Sequence, residues 1–349
     1  MARFARHAPT RPSSSFVIEH YRAVWQETIA AGGPFAMTEI EVRGIPMRVF
    51  GSAPPTMRSV WELAALHGDK TYVVYEDERY SYAEIGATTR SLAHYLREAC
   101  GVERGDRVAI AMRNYPEWVV AYWATVSLGA AVVGMNAWWT GPEMEYALAD
   151  SRPKVLIADD ERLERAIPIL PGLRATAPMH VIAVRSDRAL PDDPHATSIR
   201  WDDAVRVDDA PATLPAADID PDDDACIFYT SGTTGFPKGA QLTHRGSVHN
   251  LMNLMFMGMV ATTAEARVRA VAGDSGAPSA VPSQPVLMAP TPLFHVTACN
   301  CILHPATLLG GTVVFTYKWD PGRALELIER ERVTNFSGVP TMSRELLSH

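Results

Sequence analysis

The chain has 349 residues, 47% of them hydrophobic and 21% charged, with a formal net charge of −8. This suits one large or two medium globular domains with ample core, and an acidic balance leaves no basic footprint for nucleic acid. Cys100, Cys226, Cys299 and Cys301 are too few and too badly spaced for a disulfide framework and fit a reducing, cytoplasmic compartment. Neither a secretory signal nor a membrane span is expected, because no apolar h-region follows Arg3, Arg6 and Arg11 and no apolar run reaches about 18 residues. Peripheral membrane contact and oligomeric state stay open.

Residues 1–55 read as an N-terminal extension. Residues 17–31 have an amphipathic helical pattern, and residues 39–43 alternate like a strand that Gly44-Ile45-Pro46 turns into a second one over 47–50. From Met57 the pattern becomes α/β. A helix over 60–67 precedes a β-branched and aromatic strand over 71–75 and a turn at 76–78. Ser81 and Glu84 have capping-box spacing and open a helix to about residue 100. A strand over 107–112 follows, then a helix with Pro116 in its first turn and a wholly apolar run over 130–134 that suits a buried parallel strand. Helices over 141–150 and 161–169 alternate with strands over 154–158 and 181–184. The alternation predicts parallel sheet covered by helices on both faces.

On this reading 56–185 form a first α/β subdomain and 186–224, rich in Asp, Pro and Ala, an acidic linker. Residues 225–349 form a second subdomain. The run 220–224 reads as solvated linker rather than a metal site. Trp118, Trp123, Trp138 and Trp139 read as core packing rather than a ligand platform.

The second subdomain opens on Tyr229-Thr230-Ser231-Gly232-Thr233-Thr234-Gly235-Phe236-Pro237-Lys238-Gly239. An apolar strand leads into hydroxyl side chains and glycines around a single lysine, a composition suited to polyphosphate. Glycines admit a close backbone approach and an N–H nest, hydroxyls donate to phosphate or complete a magnesium shell, and Lys238 adds a point charge. It is not a Walker A loop, which needs Gly-Lys-Ser/Thr. A helix over 244–260 comes next, and 261–284, with little periodicity, read as a flexible insertion. Order returns at 286–289 and at Pro292-Leu293-Phe294-His295-Val296. A helix to about 308, a strand over 312–315, a helix over 321–331, a strand over 335–338 and a helix from Pro340 complete the chain. His295, Cys299, Cys301 and His304 carry zinc-type donors, but on one helix Cys301 points away from Cys299, so the four cannot close around one ion.

The loop 229–239 resembles the signature loop of the adenylate-forming (AMP-binding) superfamily, in its acyl-CoA synthetase and fatty-acid–CoA ligase branch. Tyr80-Ser81-Tyr82-Ala83-Glu84, Asn114-Tyr115-Pro116-Glu117-Trp118, the Asn136…Thr140…Glu143 spacing, Pro292 to Val296 and Val339-Pro340-Thr341 resemble further segments of that family in order. Ala137 departs from it, since many members carry proline there. The resemblance implies the N-terminal part of the adenylate-forming large domain, an α/β fold of two subdomains. It implies that a carboxylic acid and ATP give acyl-adenylate and pyrophosphate, and that coenzyme A then takes the acyl group, with Mg2+ assisting. Thr230, Ser231, Gly232, Thr233, Thr234, Gly235 and Lys238 would hold the β- and γ-phosphates, Thr230 would contact Mg2+, and His295 would orient the carboxylate. Peptide-synthetase relatives place an aspartate near His295 for the substrate's ammonium, so a fatty or related acid is expected here. The family's magnesium glutamate, ribose aspartate and C-terminal lysine domain are not recognised in the sequence. A truncated chain, inactive alone, is therefore expected, with a non-catalytic nucleotide-binding or assembly fragment as the alternative.

Overall fold

The computed structural model describes residues 14–230, 236–271 and 284–349. They fall into two compact units, one built from 14–53 and 249–271, the other from 54–230, 236–248 and 284–349.

In the first unit a helix, Ser14–Ile29, is followed by an antiparallel pair, β1 (Met37–Val42) and β2 (Ile45–Phe50). The turn is Arg43-Gly44, one residue earlier than the glycine and proline suggest. Both residues have positive φ, 51° and 80°, as a two-residue turn matching the strand twist requires. Phe35, Phe50 and Phe256 are buried with their rings 5.5–6.2 Å apart. Phe256 lies on a helix, His244–Val271, that continues past the expected end at 260 into the stretch read as a flexible insertion. Residues 261–271 are rich in alanine with Glu and Arg, which are strong helix formers. The remainder of that stretch, 272–283, lies outside the described residues.

The second unit contains β3 (Thr71–Tyr75), β4 (Glu78–Ser81), β5 (Arg107–Ala111), β6 (Ala131–Gly134), β7 (Val155–Asp159), β8 (His180–Val184) and β9 (Ser198–Arg200). It continues with β10 (Asp224–Thr230), β11 (Lys238–Thr243), β12 (Val286–Met288), β13 (Thr312–Phe315) and β14 (Asn335–Phe336). Seven strands form one sheet in the order β11-β10-β6-β5-β7-β8-β9, and five form another in the order β14-β12-β13-β3-β4. All pairs are parallel except β10–β11 and β3–β4. Sheet membership does not follow chain order: the early hairpin β3–β4 joins the late strands, and β10–β11 joins the early ones. Within the stretch read as linker, β9 adds to the edge of the larger sheet beside β8, and a helical turn, Trp201–Ala204, follows it.

The helix Pro116–Ser127 contacts β5 and β6 of one sheet and β3 of the other. Every residue of it except Glu117 is buried, which is why its sequence lacks a polar face. Trp123 Nε1 donates to Tyr72 Oη at 3.0 Å, and Tyr72 Oη lies 2.5 Å from the Thr307 hydroxyl, so this helix, β3 and the helix His304–Leu309 share one polar chain. Trp118 and Trp123 are core residues, as expected; Trp139 is nearly so, whereas Trp138 is 55% exposed. The capping box expected at Ser81 and Glu84 forms, and a second one not expected from the sequence occurs at Thr140 and Glu143. Glu84 accepts from Ser81 N at 2.7 Å, and Glu143 from Thr140 N at 2.8 Å.

Two imidazoles are buried in this unit. His244 Nδ1 accepts from Met57 N at 3.1 Å, and His304 Nε2 lies 3.5 Å from Cys299 Sγ. His295 and Cys301 are exposed, so the four zinc-type donors are split between interior and surface. Burial lowers the pKa of His244 to about 4 and of His304 to about 3, from an ordinary 6.5. The unfolded rings therefore take protons that the folded rings refuse, and their contribution to stability, complete above pH 6.5, is lost as the pH falls towards 4. Each ring gives a slope of about 1.4 kcal/mol per pH unit in that window. The urea midpoint should accordingly drop steeply between about pH 6.5 and about pH 4.5; a flat midpoint would mean that these rings are not held neutral.

Candidate active site

Strands β10, β6, β5 and β7 are adjacent and parallel, so their carboxyl ends share one edge of the sheet, where open α/β folds bind ligands. The segments leaving that edge contain the motifs singled out in the sequence. β10 ends at Thr230, β6 runs into Asn136–Thr140, and β5 into Asn114-Tyr115-Pro116. From the other sheet, β12 leads to Pro292 and His295.

The signature loop is a hairpin connection. Thr230 and Lys238 are directly paired across β10 and β11, which places their Cα atoms about 5 Å apart. Both residues are exposed, and among the described residues the Lys238 ammonium has no carboxylate partner within ion-pairing distance. Ser231, Gly232, Thr233, Thr234 and Gly235 lie outside the described residues. Phe236, 69% exposed, stacks on Tyr146 at 4.8 Å, and its ring holds that side of the loop to the helix Gly141–Ser151. At the other end, Tyr229 Oη donates to the Asp150 carboxylate of the same helix at 2.6 Å. Trp139 sets its ring edge against Tyr229 at 5.6 Å.

A cleft of about 710 Å³ opens here. Thr230 and Pro237 line it from the loop, His295 and Val296 from the opposite side, and Asn136, Trp139, Phe228 and Tyr229 form much of the rest. Thr230 and His295, separated by 65 positions in the sequence, thus face one space. The His295 backbone N donates to Pro292 O at 3.1 Å, and the ring lies against Phe294 at 4.7 Å. Although His295 is exposed, desolvation by the surrounding protein lowers its pKa below the ordinary imidazole value, so near neutral pH the neutral ring, with one nitrogen donating and the other accepting, predominates. Among the described residues, no aspartate or glutamate lines the cleft. Asn136, Trp139, Phe228 and Tyr229 were not picked out from the sequence as site residues; Asn136, Trp139 and Tyr229 fall inside motifs already noted, but only the folded sheet edge brings them together with His295.

The matched region settles the family. Residues 60–349 match the AMP-binding enzyme family. This chain belongs to that family. Among AMP-binding relatives, a feruloyl-CoA synthase of Amycolatopsis is 34% identical over 269 residues, covering 77% of this chain and 45% of the relative. Long-chain-fatty-acid–CoA ligase FadD13 of Mycobacterium tuberculosis is 32% identical over 270 residues, covering 76% and 45%. The solved N-terminal domain of FACL13 from Mycobacterium tuberculosis superposes with a TM-score of 0.61 at 26% identity, covering 83% of this chain and 64% of that one. The chain thus spans a little under half the length of those two AMP-binding relatives.

One close approach holds the cleft wall in place. A Cβ on Gly134, at the carboxyl end of β6, would lie 2.8 Å from the Phe228 ring and 3.3 Å from Phe294 Cα. Phe228 lines the cleft, so Gly134→Ala must displace it. The substitution should cost about 1–3 kcal/mol of stability, measured by urea unfolding; a variant as stable as the parent would show that the wall yields freely.

Proposed function

We propose that the cleft activates a carboxylic acid with ATP and passes the acyl group to coenzyme A. The observation that carries this reading is the convergence of Thr230, Pro237 and His295 on one cleft in a chain of the AMP-binding family. In the first step a carboxylate oxygen bonds to the α-phosphorus of ATP and pyrophosphate leaves; in the second the thiol of coenzyme A takes the acyl group and AMP leaves. The first step brings anions together, so donors and cations must be in place beforehand. Lys238 offsets charge on the outer phosphates, and the hydroxyls and N–H groups of Thr230 to Gly235 hold them. Among the described residues no cluster of three metal-binding side chains occurs. Thr230 would be the protein contact of a Mg2+ ion bound with the phosphates, and the ion would offset their charge. The neutral His295 ring donates to the acid's carboxylate and fixes its direction of approach.

The acid is one without an α-amine, because a buried ammonium would find no counter-ion among the described residues that line the cleft. Within that class a fatty or related acid is the reading; the Trp139, Phe228 and Tyr229 rings and Val296 supply apolar wall. Several relatives are named for thioesters of different acids, a feruloyl-CoA synthase and a long-chain-fatty-acid–CoA ligase among them, so the panel of acids tested should include both kinds.

The test uses this chain fused to the C-terminal portion of one of those relatives. Pyrophosphate release should depend on a fatty or aryl carboxylic acid, with coenzyme A consumed and no comparable response to amino acids. Lys238→Ala should lower the ATP-dependent rate about a hundred-fold or more, the scale of one lost preorganised charge, with little change in acid binding. A strong amino-acid response would move the activity to another branch of the family, and unchanged ATP kinetics in Lys238→Ala would remove that residue from the site.

A further inference from the structure

The turn Asn136–Thr140, which walls the cleft, is gripped from behind by two arginines. The helix Asp160–Ala166 follows β7 directly, and its spacing sets Arg162 and Arg165 on one face, three residues apart. Arg162 Nε donates to Ala137 O at 3.0 Å; Arg165 Nη1 donates to the same carbonyl at 3.2 Å and to Trp139 O at 2.8 Å. Two guanidinium groups therefore converge on one peptide.

Arg162 is unusual for a charged side chain. It is 1% exposed and pairs with Asp159, itself 4% exposed, through two bonds of 2.8 and 3.0 Å. Removing such a pair from water costs several kcal/mol, and an apolar filling would stabilise the fold as well; what an apolar filling cannot do is hold a carbonyl. The Asp159 carboxylate also accepts from Arg113 N at 3.1 Å, so the pair fixes the segments leaving three neighbouring strands, β5, β6 and β7, relative to one another. The turn held in this way presents Trp139 to Tyr229, the residue before Thr230.

We propose that Arg162 and Arg165 are positioning residues for the cleft, holding the Asn136–Thr140 turn by its carbonyls so that Trp139 buttresses Tyr229 at the base of the loop. The proposal rests on the phosphate-binding reading for its consequence, but not for its geometry. Arg162, wholly buried, belongs to the fold as well, and its removal would strand Asp159. Arg165 is about a third exposed and separates the two roles.

The experiment labels the 349-residue chain with 5-fluorotryptophan, assigns Trp139 by Trp139→Phe, and compares the parent with Arg165→Met and Arg165→Lys. Arg165→Met should shift or broaden the Trp139 fluorine resonance while Trp118 and Trp123 stay in place and the thermal midpoint barely moves. Arg165→Lys, which can still donate to one carbonyl, should restore it in part. MgATP affinity, read by calorimetry on the same samples, should weaken about three- to tenfold in Arg165→Met, the scale of one ordinary hydrogen bond, because the lost contacts act on the loop only through Trp139 and Tyr229. An unmoved Trp139 resonance, or a shift of all tryptophans together, overturns the positioning role. A parent chain that binds no MgATP counts instead against the phosphate-binding reading, and the fluorine spectra still decide the role of Arg165.

Discussion

The second unit depends on a helix that must be dry on every side. Pro116–Ser127 has no polar face and lies against strands of both sheets, so it ties the two sheets into one core. Burying such a helix all round contributes roughly 1.5–3 kcal/mol per large apolar side chain, and Trp118, Tyr122 and Trp123 are among the largest fully buried residues. The Tyr72–Trp123–Thr307 chain then satisfies polar atoms that would be costly to bury alone. Once this layer is set, the carboxyl ends of β5, β6 and β10 have fixed places.

That fixed edge is what gives the cleft its chemistry. The proposed phosphate loop needs rigid ends to place its donors. The rigidity comes from the Thr230–Lys238 pairing, from the Tyr229–Asp150 hydrogen bond and from Phe236 on Tyr146. His295 follows the other sheet's strand β12, which explains how residues so far apart in sequence as Thr230 and His295 line one space. Among the described lining residues there is no carboxylate, and the His295 pKa is lowered, so neither a described carboxylate nor a competing imidazolium faces the proposed anionic ligands at neutral pH.

Signals confined to one or two helical turns were legible in the sequence. The Ser81–Glu84 capping interaction, the proline at the start of 116–127, and the apolar runs of β6 and β10 each state their structure within a few residues. Two of the short edge strands were not: β4 has four residues and β9 three, and both form because a neighbour offers hydrogen bonds. Which strands share a sheet was equally hidden, since β3 pairs with β13 some 240 positions later. Alanine misled in the opposite direction, as residues 261–271 looked featureless and are helical. At the site, Lys238 and His295 stood out by chemistry, while Asn136 and Trp139 enter only through the geometry of the sheet edge. Trp138 was expected in the core and lies instead largely exposed, with the Arg113 guanidinium 4.7 Å from its ring.

The claim on which all of this turns is that the β10–β11 connection holds the outer phosphates of ATP. Phosphorus NMR of MgATP titrated with the 349-residue chain tests it without requiring turnover. The β- and γ-phosphorus resonances should broaden and shift well before the α resonance, and the effect should reverse on adding excess inorganic pyrophosphate, which competes for the same donors. Broadening led by the α resonance, or spectra indifferent to the protein, would contradict it.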